Sequence, residues 1–139
     1  SLKIFFSFLE DLEKRIERRK EIALELKKRL EKFNFQSQET KNHIFTFFSF
    51  LVPPEINRDH FVKFLWKKRI FATRIWKDPI ILNPLCQKLY SIVPENFPNT
   101  IDLSKRIVNL PLQDFYQEKD LKKITISIEN YFKRGEPAF

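Results

Sequence analysis

Glycine is almost missing from this chain, at one residue in 139. Gly-rich phosphate cradles and dinucleotide fingerprints need several glycines, where the backbone turns sharply or touches a phosphate. Both are excluded, so any phosphate site must use side chains or belong to another domain. Cysteine is equally scarce. Cys86 stands alone, which rules out an internal disulfide and a cysteine-based metal centre. It lies in Pro84-Leu85-Cys86-Gln87 with no histidine nearby, and suits a small packed side chain better than a thiol nucleophile. A reducing, cytoplasmic setting fits this usage. Methionine is absent, and Ser1 opens directly into the apolar Leu2-Lys3-Ile4-Phe5-Phe6. That start reads as a recombinant product, a processed chain or a fragment. No charged region and cleavage site mark a signal peptide. Apolar runs such as Ile44 to Val52 fall short of the roughly 20 residues a membrane helix needs, so no membrane partner is expected.

Catalytic groupings are also missing. His43 and His60 are the only histidines. A metal needs three or four convergent ligands, and neither histidine has such a set around it. No nucleophile elbow is present. The carboxylate pairs Asp11/Glu13 and Glu118/Asp120 sit among lysines and arginines, as on solvated helix faces. No catalytic, cofactor-binding or metal-binding residue is expected within the chain.

What is present is aromatic and basic. There are 16 Phe, 3 Tyr and 2 Trp in a chain that is 42% hydrophobic and 32% charged. That composition folds, the length suits one domain, and the core must be built largely from flat rings. The net charge of +8 raises the question of a nucleic-acid partner. The densest basic runs, Arg18-Arg19-Lys20 and Lys67-Lys68-Arg69, form no single stripe. Aromatics interleave with them between Phe61 and Trp76, but Phe61 and Phe64 fall on the inner face of a predicted helix. Core packing explains those rings, and a nucleic-acid role is not expected.

The first segment predicts one long helix, roughly Phe5 to Phe33. Its apolar stripe runs through Phe5, Leu9, Leu12, Ile16, Ala23, Leu26, Leu30 and Phe33, with Arg19 the one polar interruption. Such a stripe can form a coiled-coil seam or a helix crossing between domains. Asn34 to Asn42 reads as loop, and Ile44 to Val52 as a buried strand stopped by Pro53-Pro54. Asn57 is the expected N-cap of a helix from Arg58 to Lys68, whose inner face takes Phe61, Phe64, Leu65 and the Lys68 stem. A second strand is expected at Ile70 to Ile75. Prolines break Asp78 to Pro98 into loop with a short helix near Leu85 to Tyr90. A helix at Thr100 to Arg106, a strand at Ile107 to Leu110 and a helix from Gln117 to Phe132 complete the chain. Leu121, Ile124, Ile128, Tyr131 and Phe132 form the last apolar face, and Gly135 stops it. The expected fold is α/β (α+β), a long N-terminal helix followed by a small few-stranded sheet packed by helices on one face. The division is 1–34, connecting helix, and 35–139, small α/β domain.

Several runs, in order, resemble one family. Leu9 to Ala23, with its Arg18-Arg19, resembles the helix that leaves the large domain in the DegT/DnrJ/EryC1/StrS sugar aminotransferases. Asn57 to Val62 resembles that family's Arg-Asp helix start, and Ile70 to Trp76 its strand and loop ending in Thr-Arg and Trp. Phe97 to Thr100 and Ile107 to Leu112 resemble its "FP" and "LP" steps. Two features depart from the pattern: Arg69 stands where the family usually has glycine, and the His or Tyr that often follows in this loop is missing. The resemblance implies the small C-terminal domain of a fold-type I enzyme. Pyridoxal phosphate, the Schiff-base lysine and its partners would belong to a separate large domain. It implies that the chain helps close and shape a nucleotide-sugar site, with Arg74 and Trp76 lining it, and that a homodimer is compatible. A plainer reading has Trp76 packed and Arg74 paired at the surface. The rival class is a non-catalytic interaction module that dimerises or docks through the N-terminal helix.

Overall fold

A computed structural model describes residues 6, 9, 11–39 and 43–133. Helix α1 (Leu12–Leu30) runs into a 3-10 turn at Glu31–Phe33. Strand β1 (Gln36–Ser37), strand β2 (Phe47–Leu51) and helix α2 (Arg58–Lys67) follow. After a 3-10 turn at Ile80–Leu82 come α3 (Pro84–Tyr90), a further turn at Pro94–Asn96 and α4 (Pro98–Arg106). Strand β3 (Ile107–Pro111) and α5 (Glu118–Lys133) complete the described part. The sheet order is β1-β2-β3, antiparallel throughout, with Phe48 opposite Leu110, Ser49 opposite Asn109 and Phe50 opposite Val108. The expected architecture is therefore present: a long first helix, a small sheet and packed helices.

Side-chain chemistry sets the element boundaries. The Asn57 carboxamide oxygen accepts from the Asp59 and His60 amides at 3.1 Å each, satisfying orphan donors of α2. Asn83 does the same for α3 through Leu85 and Cys86, ahead of Pro84 in the first turn. The α2 helix ends in a double hydrogen-bonded stop. Arg69 N donates to Trp66 O at 2.8 Å, and Ile70 N donates to Leu65 O at 2.9 Å. Arg69 takes φ 58 there, in the left-handed region that glycine occupies without steric cost.

The core is a cluster of rings between the sheet and three helices. Phe48 and Phe50 alternate onto one face of β2 and are buried. Phe50 lies 4.5 Å from Phe35 and 6.3 Å from Phe61, while Phe61 lies 4.9 Å from Tyr131 of α5. From α1, Ile22, Ala23, Leu26 and Leu30 join the cluster. Leu9 and Leu12, at the other end of the stripe, are exposed. The α5 face buries Leu121, Ile124, Ile128 and Tyr131 as expected, with Phe132 partly buried.

Several expectations are corrected. Ile70 to Ile75 is not a strand; only Thr73 bridges to Asn109. The third strand is instead β1, inside the stretch read as loop, because Ser37 can pair with Phe50 without an apolar side chain of its own. The strand expected at Ile44 to Val52 is confined to β2, since Phe45 turns to φ 53 and interrupts extended backbone. Lys68 is exposed, with its ammonium over the Phe64 ring rather than its stem in the core. Cys86 is half-buried on α3. Phe5 and Gly135 lie outside the described residues.

Replacing Arg69 with glycine is expected to stabilise the chain by about 1 kcal/mol, since the left-handed strain relieved exceeds the added chain entropy. Urea unfolding measures this; a lower midpoint for Arg69→Gly would show that the Arg69 side chain contributes more than its backbone costs.

Candidate functional site

Residues 70–76 form an irregular loop that hydrogen bonds hold from three sides. On one side Thr73 exchanges a backbone pair with Asn109 of β3, N to O at 2.8 and 2.9 Å, the narrow pair of an antiparallel ladder. On a second, the buried Asn109 carboxamide accepts from Ile75 N at 3.0 Å through its oxygen and donates to Ser49 Oγ at 2.9 Å. On the third, the Trp66 indole N–H of α2 donates to the Ala72 carbonyl at 2.6 Å.

Arg74 leaves this loop toward the start of α2. Its Nη1 lies 2.8 Å from Asp59 Oδ1. Arg58 Nε meets the same oxygen at 2.5 Å, and Arg58 Nη1 donates to the carbonyls of Ser104 at 3.0 Å and Ile107 at 3.3 Å. Partial burial alone would push the Asp59 carboxyl up. Hydrogen bonds from Arg74 and then Arg58 outweigh it and hold the group below the usual carboxylate range. The Arg58 side chain is only 9% exposed, so its charge is met on one side by Asp59 and on the other by the end of α4.

Trp76 does not pack into the core. It is 66% exposed and walls an open cleft of about 730 Å³ with Asp78, Pro79, Ile80, Leu82 and Asn83. The two candidate residues thus share one loop but differ in setting: Arg74 is ion-paired, Trp76 is presented outward. Three residues escaped individual notice in the sequence: Arg58, Asp59 and Asn109. All lie in the runs quoted for the family resemblance, yet nothing in residue type alone distinguishes a site-holding asparagine from an ordinary strand residue.

His43 and His60 play no joint role. His43 Nδ1 accepts from the Phe45 amide at 2.9 Å and so supports the turn at Phe45. Among the described residues no group of three or more His, Cys, Asp or Glu is arranged to hold a metal. No helix among them is long and apolar enough to cross a membrane.

A scan against protein families matches residues 3–129 to the DegT/DnrJ/EryC1/StrS aminotransferase family. The chain belongs to that family. No curated protein sequence matches it. Among solved structures, Spr1654, a suggested sugar aminotransferase of Streptococcus pneumoniae, aligns in its apo form with a TM-score of 0.81 at 16% identity. That alignment covers 93% of this chain and 33% of Spr1654. A DegT DnrJ EryC1 StrS aminotransferase from Brucella abortus aligns at 0.78 and 25% identity, over 91% and 33%. Helicobacter pylori PseC, an aminotransferase in pseudoaminic acid biosynthesis, aligns at 0.71 and 17%, over 86% and 33%. The chain therefore spans about a third of the length of these relatives. Spr1654 is also solved in a PMP form, which aligns at 0.81.

Two outcomes are expected at the loop. Asn109→Ala removes the acceptor of Ile75 N and the partner of Ser49 Oγ, at a cost of about 1–3 kcal/mol. Hydrogen exchange at Ile75 should accelerate more than exchange at Ile128, and equal acceleration would mean that the carboxamide does not hold the loop in particular. Because the Asp59 pKa is lowered on folding, its contribution is present above the ordinary carboxylate value of about 3.9 and is lost as pH falls through the folded value. Asp59→Asn should flatten acid unfolding in that window, and an unchanged acid profile would remove Asp59 as the anchor of Arg74.

Proposed function

We propose that this chain is the small C-terminal domain of a pyridoxal-phosphate-dependent nucleotide-sugar aminotransferase, acting in the cytoplasm. Residues 1–34 connect it to the large domain and 35–139 close over the sugar site, which Arg74 and Trp76 line. The observation that carries this reading is the family match over residues 3–129 combined with coverage of only 33% of each solved relative.

The residues here do not fit the cofactor. Pyridoxal chemistry needs a sequestered lysine and a partner for the pyridine nitrogen. Every described lysine is exposed except Lys20, which is partly buried and sits 2.5 Å from Glu17. The large domain must supply both groups, and no chemical step is assigned to this chain. Its contribution is geometric. A loop fixed by Asn109, Trp66 and Asp59 offers an indole and a guanidinium at set positions, as substrate alignment requires.

The apolar surface supports a missing neighbour. Helix α3 has no buried residue, and Ile80, Leu85, Leu89 and Tyr90 are each more than 60% exposed. Large apolar side chains exposed to that extent are often covered by a protein neighbour. The rival reading, self-association through α1, is weakened because Ile22, Ala23, Leu26 and Leu30 are spent in the core. Among the described residues of the predicted stripe, Leu9 and Leu12 are exposed.

The isolated chain mixed with pyridoxal phosphate is expected to give no aldimine absorbance, and a lysine-dependent band would overturn the division of labour. In the full-length enzyme Trp76→Ala should raise KM for the sugar substrate about tenfold with a smaller change in kcat. Unchanged steady-state kinetics would remove Trp76 from the site.

A further inference from the structure

Helix α2 leaves one side bare. His60, Lys63, Trp66 and Lys67 fall on it at helical spacing and line an open hollow of about 500 Å³. Trp66 is 51% exposed, yet its indole N–H is tied to Ala72, so the ring is held in one orientation. Between His60 and Lys77 the sequence has six lysines and arginines and no carboxylate. The one acid of α2, Asp59, is already matched by Arg58 and Arg74. Among the described residues no carboxylate pairs with Lys63.

A fixed indole flanked by lysines one turn apart suits a ligand that joins an aromatic ring to phosphates. We propose that this side of α2 binds the nucleotide end of the substrate, with the base on Trp66 and the diphosphate on Lys63 and Lys67. The adjoining loop gives the direction. Ala72 meets Trp66 near the end of α2, and Arg74 meets Asp59 in its first turn, about 10 Å back along the axis. The loop therefore runs antiparallel beside the strip, and Trp76 follows its Arg74 end in the turn closed by Lys77 N on Arg74 O. The proposal rests on the aminotransferase reading for the sugar end, while the nucleotide end rests on the side chains of α2. A single-stranded nucleic acid would need further platforms in one groove. The next exposed ring, Phe71, instead lines a separate hollow of about 130 Å³ with Arg69 and Lys123.

Trp76→Phe leaves Trp66 as the sole tryptophan of this chain. Titrating that protein with ADP should quench its fluorescence saturably, with adenosine binding at least about tenfold more weakly and inorganic pyrophosphate competing. Lys63→Glu combined with Lys67→Glu changes two exposed positions, so circular dichroism should hold while ADP affinity falls at least about tenfold. Absence of saturable quenching overturns the proposal, as does ADP binding that survives the double reversal. So does an oligo-dT that binds with a steep salt dependence where ADP does not. Any of these removes the α2 site alone, because the aminotransferase reading is decided separately by aldimine absorbance and by the kinetics of the full-length enzyme.

Discussion

One buried carboxamide holds the sheet edge and the loop at residues 70–76 together. Asn109 sits on β3 at 1% exposure, where an unmatched amide would be costly. It is matched on both sides, by Ser49 across the sheet and by Ile75 in the loop. An apolar residue here would keep the backbone pair with Thr73, but it would lose Ser49 Oγ across the sheet and the loop would lose its anchor at Ile75. The sheet edge thereby becomes a mount for an irregular segment. That is a use of an edge strand that also blocks it from pairing with another chain.

The long first helix is attached by two different means. Its second half is bound by burial of Ile22, Ala23, Leu26 and Leu30 among the rings. Along its length, ion pairs reach the last segment: Arg15 to Asp114, Arg29 to Glu118 and Lys32 to Glu129. Their carboxyls are held below the usual range chiefly by those hydrogen bonds. Pairs as exposed as these add little stability, so apolar packing sets the attachment and the charges set its register. Leu9 and Leu12, at the other end of the stripe, stay exposed.

The helices were legible in the sequence because periodicity, caps and prolines agree. Asn57 marks a start, the prolines between Asp78 and Pro98 confine the short helix, and the stripes of α1 and α5 mark faces. The sheet was harder. Ile70 to Ile75 has strand composition, yet Trp66 and Asn109 bond to its backbone and bend it into a loop. Gln36-Ser37 lacks that composition and pairs anyway, since an edge strand needs backbone geometry more than burial. Arg74 and Trp76 were singled out by the family pattern alone. Asp59 and Asn109 act through contacts made across the fold, which spacing along the chain does not encode.

The scarcity of glycine explains a final feature. Four non-glycine residues take positive φ: Asn34, Phe45, Arg69 and Ser91. Asn34 and Ser91 follow helical turns, where polar side chains tolerate the left-handed region. Phe45 does not belong to that class, and Arg69, which follows α2, lacks the short polar side chain that eases the left-handed region. Phe45 is fully buried and braced by His43, so ring burial offsets its backbone cost. Arg69 is exposed and has no such compensation from packing. It lies at the junction between α2, with its basic strip, and the loop that carries Arg74. The helix-stop hydrogen bonds to Trp66 O and Leu65 O hold its backbone there. A cation at the end of α2 adds to the positive field of the same strip, beside Lys67 and Lys68.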